Sequence, residues 1–169
     1  MAIVIVVSNI LVAIPVNDWL TWGTLTFPFA FLVTDLVNRH YGVTKARQVV
    51  FVGFVVGIAA SLYFADMRIA LASGTAFLIA QLLDVSVFDK LRARTWWIAP
   101  FASSVISTVI DTFLFYGLAF FGTGEPWNQW AVGDLGVKWL VAVAALLPYA
   151  LLSGTSKTPP ASPSNSTAR

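Results

Sequence analysis

The chain has 169 residues, 58% hydrophobic and 11% charged, with a net charge of +2 and a mean hydropathy of +0.80. Soluble domains carry about a quarter charged residues, so this composition excludes an ordinary water-soluble domain and indicates an integral membrane protein. The absence of cysteine and the single histidine exclude disulfides, thiolate chemistry and His/Cys zinc sites; the basic residues fall between apolar runs, which suits membrane orientation better than nucleic-acid binding.

Six apolar runs follow in order. Residues 1–16 contain Ser8 and Asn9 and, at 1.5 Å per residue, cover about 24 Å of a hydrocarbon core about 30 Å thick. No Lys or Arg precedes this run and no A-x-A site follows it, which argues against a cleaved signal peptide. Pro15, Asn17 and Asp18 then predict a turn. The second run, residues 20–38, holds Phe27, a kink at Pro28, Asp35 near its far end and Asn38 at its edge. Residues 39–47 read as a basic loop with Arg39, Lys45 and Arg47; His40 has no second histidine to pair with and reads as an interfacial residue.

The third run, residues 49–65, places Gly53, Gly57 and Ser61 at intervals of four, a spacing that lets helices approach closely. Asp66 to Arg68 turn the chain into the fourth run, residues 69–88, where Gln81 and Asp84 share a helical face and Phe77 precedes Gln81 by four. A second charged cluster, Asp89, Lys90, Arg92 and Arg94, is followed by Trp96 and Trp97 as interfacial anchors. The fifth run, residues 97–121, carries Asp111 near its middle, with Ser104, Ser107 and Thr108 on the same face. Residues 122–134 read as a polar loop. The sixth run, residues 135–152, has Lys138 in its first turn, and the Ser/Thr/Pro-rich remainder reads as disordered.

The fold expected is therefore an all-α bundle of six transmembrane helices in residues 1–153, with a disordered cytoplasmic tail over 154–169. Eight basic residues fall on the side of the tail and of the loops after runs two and four. Arg68 and Lys138 alone fall opposite, so both termini are expected in the cytoplasm. An acid at membrane depth costs at least about 2.5–3.5 kcal/mol and is a functional-site candidate by default. By distance from its own helix ends Asp111 is the deepest. Its structural alternative is a packing hydrogen bond to Ser or Thr of a neighbouring helix, or a pair with Lys138; that of Asp35 and Asp84 is contact with the nearby basic loops.

The segments SNILVAIPV, TWGTLTFPFAFLVTDLVNRHYG, ALASGTAFLIAQLLDVSVFDKLR, WWIAPFASSVISTVIDTFLF and VKWLVAVAALLPYALL resemble the queuosine precursor transporter family, also described as vitamin uptake transporters. The resemblance reaches from the first run to about Leu152. It implies a six-helix inner-membrane importer of 7-deazaguanine bases, with cyano or aminomethyl substituents, that feeds queuosine synthesis in tRNA. Proteins of that family carry residues before the segment matching Ser8 and Asn9, so the first helix is expected to be short of its full length here. For such a base, a carboxylate of Asp111 or Asp84 accepts the ring N–H and exocyclic amine together, and Asp35 is a further binding candidate. Gln81, Asn9 and Asn38 are candidates for the carbonyl or substituent, and Phe27, Phe29, Phe31, Phe77 and Phe113 for stacking, Phe27 and Phe77 foremost.

No cofactor or metal is called for. The partners implied are the base and the lipid bilayer, with no direct nucleic-acid contact; a homo-oligomer or an energising subunit is left open. The chain lacks a G-x-x-x-x-G-K-[ST] phosphate loop, which excludes an ATP-driven pump of that type but leaves facilitation, proton coupling and an energised binding subunit. The other classes weighed are a structural or assembly protein, and a membrane enzyme, for which neither a nucleophile–base pair nor a metal cage is evident.

Overall fold

The computed structural model describes residues 1–12, 14–17, 20–64 and 66–154. Among them are seven helices: α1 (Ala2–Val12), α2 (Trp22–Thr26), α3 (Pro28–Tyr41), α4 (Val43–Phe64), α5 (Met67–Leu91), α6 (Ile98–Phe120) and α7 (Trp127–Leu152). Between α1 and α2, where the sequence predicts a turn, β1 (Pro15–Asn17) pairs antiparallel with β2 (Leu20–Thr21). Asp18 of that predicted turn, and the tail from residue 155, lie outside the described residues.

Four helices are long and apolar enough to cross a membrane: Val43–Tyr63, Met67–Leu91, Ile98–Phe120 and Trp127–Leu152. This makes the chain a multi-pass membrane protein. The other two runs expected to span are short or interrupted. Helix α1 has 11 residues, about 16 Å at 1.5 Å per residue. The second run is divided at Pro28, which has no N–H to continue the ladder. Phe27 between the two pieces keeps helical angles (φ −57°, ψ −39°), so α3 continues α2 with one register of bonds lost.

Two boundaries differ from the sequence reading. The run 39–47 is no extended loop: Gly42, at φ 82°, turns the chain between α3 and α4, and Lys45 and Arg47 belong to the first turns of α4. Only a residue without a Cβ takes that angle at little cost. At the other end, α7 begins at Trp127 instead of in the region of Leu135, because Asp134 is buried and held by Lys138 one turn on.

Helix α5 is central, packed on α6, α4 and α3, while α7 lies against α6 and α3. The small-residue stripe of α4 is where α1 rests. A Cβ on Gly53 would stand 2.8 Å from Met1 Cγ and 3.2 Å from Phe77 Cζ, and one on Gly57 3.2 Å from Ile5 Cγ2. One turn further, Ser61 Oγ donates to Asn9 Oδ1 at 2.7 Å. Replacing Gly57 by Leu is therefore expected to cost about 1–3 kcal/mol through overpacking, read as a lower unfolding midpoint in detergent. Gly136→Ala, whose new methyl meets nothing within 4 Å, is the control expected to hold or raise it.

The ends of the bundle are tied by arginines. Arg39 donates to the carbonyl of Arg92 at 3.1 Å, and Arg92 returns bonds to the carbonyls of Asn38 and Arg39, so both basic clusters sit at one end. At the other end Arg68 donates to the carbonyls of Leu118 and Phe121, closing the C-terminus of α6, where a cation is favoured. Large apolar side chains such as Val55, Leu140, Leu147 and Leu151 point outward, as a lipid-facing surface requires.

Candidate functional site

The face that α6 turns inward is polar. Ser103, Ser104, Ser107, Thr108, Asp111, Thr112 and Tyr116 recur at helical spacing and are all buried. They join two layers of buried acids, with Ser103 at one and Asp111 at the other about 12 Å apart along the helix.

The layer near the basic end lies where α3, α5 and α6 meet. Asp35 is 1% exposed and Asp84 not at all. They are brought to one place by the contact of α3 with α5, where Thr34 bonds Gln81 at 2.7 Å and Asn38 bonds the Val85 carbonyl at 3.0 Å. Ser103 Oγ stands 3.4 Å from Asp35 Oδ1 and 3.3 Å from the carbonyl of Pro100. Neither oxygen of Asp84 has a hydrogen-bond partner, and no lysine or arginine among the described residues forms a salt bridge with either acid.

Around this pair the other polar groups are half satisfied. Asn38 Nδ2 donates to the carbonyl of Val85 at 3.0 Å, but its Oδ1 is buried without a partner. Gln81 meets the Thr34 hydroxyl at 2.7 Å through one end of its amide, and the other end is unpaired. Ser107 Oγ is likewise buried and free of any bond. Buried polar groups are nearly always paired, so these orphans single out the interface of α3, α5 and α6 as the candidate site.

Asp35 opens onto a cleft between α3, α6 and α7. Phe31 and Leu32 form its α3 wall, Ser104 and Thr108 its α6 wall, and Leu146 and Tyr149 its α7 wall. Counting its mouth the cleft encloses about 320 Å³, but its interior holds only about 10 Å³, room for one water. A flat heterocycle therefore enters only when these helices part.

The second layer is fully paired. Lys138 Nζ lies 3.0 Å from Asp111 Oδ2, 2.8 Å from Asp134 Oδ2 and 3.1 Å from Thr112 Oγ1, whose hydroxyl in turn donates to Asp134 at 3.3 Å. All four residues are buried, and one cation against two carboxylates leaves the cluster one negative charge in excess. A buried pair of this kind is costly to form and costlier to break, since a lost partner strands a charge in a medium that solvates it poorly.

The remaining candidates are placed elsewhere. Asn9 bridges α1 to α4, donating to the carbonyl of Ile5 at 2.9 Å while accepting from Ser61. Phe27 and Phe77 meet edge to face at 6.1 Å, and Phe77 is buried against the α4 stripe. The sequence thus brings Asp35, Asp84, Gln81 and Asn38 together at one interface, and Asp111 with Lys138 at another. Asp134, Thr34, Ser103 and Tyr149 escaped the sequence reading. Of these only Asp134 left a readable signal, its spacing of four from Lys138. Among the described residues no group of three or more His, Cys, Asp or Glu side chains is arranged to hold a metal ion.

Such a constellation can recognise a polar heterocycle. A carboxylate accepts two adjacent N–H groups, hydroxyls on α6 adapt to acceptors or donors, and aromatic walls cover flat faces. Residues 21–67 and 62–152 match the family described as "Putative vitamin uptake transporter". The chain is 36% identical to a probable queuosine precursor transporter of Haemophilus influenzae over 76% of this chain and 66% of that protein, about two thirds of its length. It is 34% identical to the queuosine precursor transporter of Escherichia coli, over 86% of this chain and 79% of that protein. A probable queuosine precursor transporter of Bacillus subtilis is 27% identical over 77% and 69% of the two chains. No solved structure matches.

Proposed function

The chain belongs to the putative vitamin uptake transporter family, and from that membership we propose that it imports queuosine precursors, 7-cyano- or 7-aminomethyl-7-deazaguanine, across the inner membrane. The observation that carries the proposal is the uncompensated carboxyl pair, Asp35 and Asp84, beside a cleft with aromatic and hydroxyl walls. The Asp35 carboxylate takes the fork made by the ring N–H and the exocyclic amine of the base. Phe31 and Tyr149 cover its faces, a contact worth about 1–3 kcal/mol per stacked base. The unpaired ends of Gln81 and Asn38 serve the edge behind it.

In this reading the chain spans the membrane six times with both termini in the cytoplasm. Arg39, Lys45, Arg47, Lys90, Arg92 and Arg94 mark the inner face. The cleft then opens from the inner half of the bundle, and the Lys138 cluster of α6 and α7 closes the outer half. Recognition falls to Asp35, because Asp111 already has its cation.

Cells that cannot make the precursor provide the test. Expression of this chain is expected to restore queuosine to their tRNA from supplied base, and no restoration by a protein shown to reach the membrane counts against the proposal. In detergent, a 7-deazaguanine base is expected to raise the unfolding midpoint where guanine does not.

A further inference from the structure

The two acid layers differ in how their charge is balanced. Asp111 and Asp134 share Lys138, whereas Asp35 and Asp84, buried together where α3 meets α5, have no salt bridge to a lysine or arginine among the described residues. The charged and titratable groups nearest the pair offer no substitute. Tyr149 on α7 is a phenol, and Arg39 and Arg92 at the basic end are engaged by backbone carbonyls, Arg92 also by Asp89. Two carboxylates in contact away from water do not both stay ionised; the arrangement is satisfied when they hold one proton in common.

Docking at Asp35 decides which acid carries it. Asp35 lines the cleft and Asp84 does not, so on the docking reading Asp35 is the acid left as the anion. Asp84 has no exposure and no donor at either oxygen. An ionised Asp84 would leave every lone pair unanswered, whereas as an acid it gives its O–H to Asp35 and needs none.

We infer that the Asp35–Asp84 pair binds one proton, carried on Asp84, and that the base docks only on this singly protonated pair, so that proton and base cross together. The inference rests on the reading that the base docks at Asp35. With two protons Asp35 no longer accepts the N–H fork; with none, two anions oppose each other in the dry interior. The proton stays on Asp84 while the base is held. It leaves to cytoplasmic water with the base when the helices part, so no bond is made or broken apart from the O–H.

The test is the affinity for 7-cyano-7-deazaguanine, whose substituent does not titrate, measured from mildly acidic to mildly alkaline buffer on the intact protein. Wild type is expected to lose affinity on the alkaline side, by up to about tenfold per pH unit once the shared proton leaves. Asp84→Asn, whose amide N–H replaces the acid O–H toward Asp35, is expected to bind with that alkaline fall removed. Asp35→Asn is expected to lose binding. A flat wild-type profile, or an Asp84→Asn protein that keeps the alkaline fall or no longer binds, overturns the inference. Normal binding by Asp35→Asn overturns instead the reading on which it rests. Infrared spectroscopy of the wild type alone gives a second check, independent of how the variants fold. The carbonyl stretch of a protonated carboxylic acid is expected at neutral pH and its absence is contrary.

Discussion

Asp35→Asn is expected to weaken binding of a 7-deazaguanine base by at least about tenfold. The amide puts a donor where the ring N–H and exocyclic amine need an acceptor, and an unmatched buried polar contact costs about 1.5–3 kcal/mol. The fold should survive the change. Asn occupies nearly the same volume, and its amide oxygen can still accept from Ser103, at 3.4 Å in the native pair. Isothermal titration on protein whose unfolding midpoint matches wild type separates a lost contact from a lost fold. Unchanged affinity would remove Asp35 from recognition.

The second large effect is on stability. Lys138→Met is expected to cost about 3–5 kcal/mol, because it leaves Asp111 and Asp134 as buried carboxylates 3.0 and 2.8 Å from a cation that is no longer there. Asp111→Asn is milder, since Lys138 keeps Asp134 and the Thr112 hydroxyl at 3.1 Å. Neutralising all three, Lys138→Met with Asp111→Asn and Asp134→Asn, is expected to recover most of the loss, as the penalty belongs to the stranded charge and not to the missing contact. Thermal unfolding of the three proteins checks the order. A Lys138→Met protein as stable as wild type would mean that the cluster is wet or unimportant. Asp111→Asn with wild-type affinity for the base would place that acid in the scaffold.

Much of the architecture could be read before the helices were seen, and for physical reasons. A membrane span advertises itself by the cost of its alternatives, so the runs leading to α4, α5, α6 and α7 stand out by composition. Pro28 interrupts the second run as a residue without an N–H must, and Gly53, Gly57 and Ser61 mark the seat of α1 because only small side chains leave room for it. Hydropathy misled where charges are paired inside the bundle. Residues 127–134 look like a loop when Asp134 is counted as a free charge, yet they open α7 because Lys138 answers it.

The candidate site was half legible for a related reason. Depth measured along a residue's own helix ranked Asp111 above Asp35 and Asp84, which sit about two turns from their helix ends. Burial is set instead by the neighbours. Packing of α3 on α5 and α6 removes Asp35 and Asp84 from solvent as fully as if they lay at mid-membrane. Which acid has a cation is likewise a property of contact between helices. Asp111 finds Lys138 from α7, and among the described residues no lysine or arginine forms a salt bridge with the other pair. Gln81, Asp84 and Asn38 could be picked out as polar residues on apolar helices; that they meet where α3 packs on α5 could not, since their helices are joined only through tertiary packing.

A structure of the protein loaded with 7-aminomethyl-7-deazaguanine is the most direct measurement. The base is expected between α3, α6 and α7, its ring N–H and exocyclic amine on the Asp35 carboxylate, with Lys138 still bonded to Asp111 and Asp134. Density for the base against Asp111, or on the outer surface with the Asp35 cleft still closed, would contradict the account.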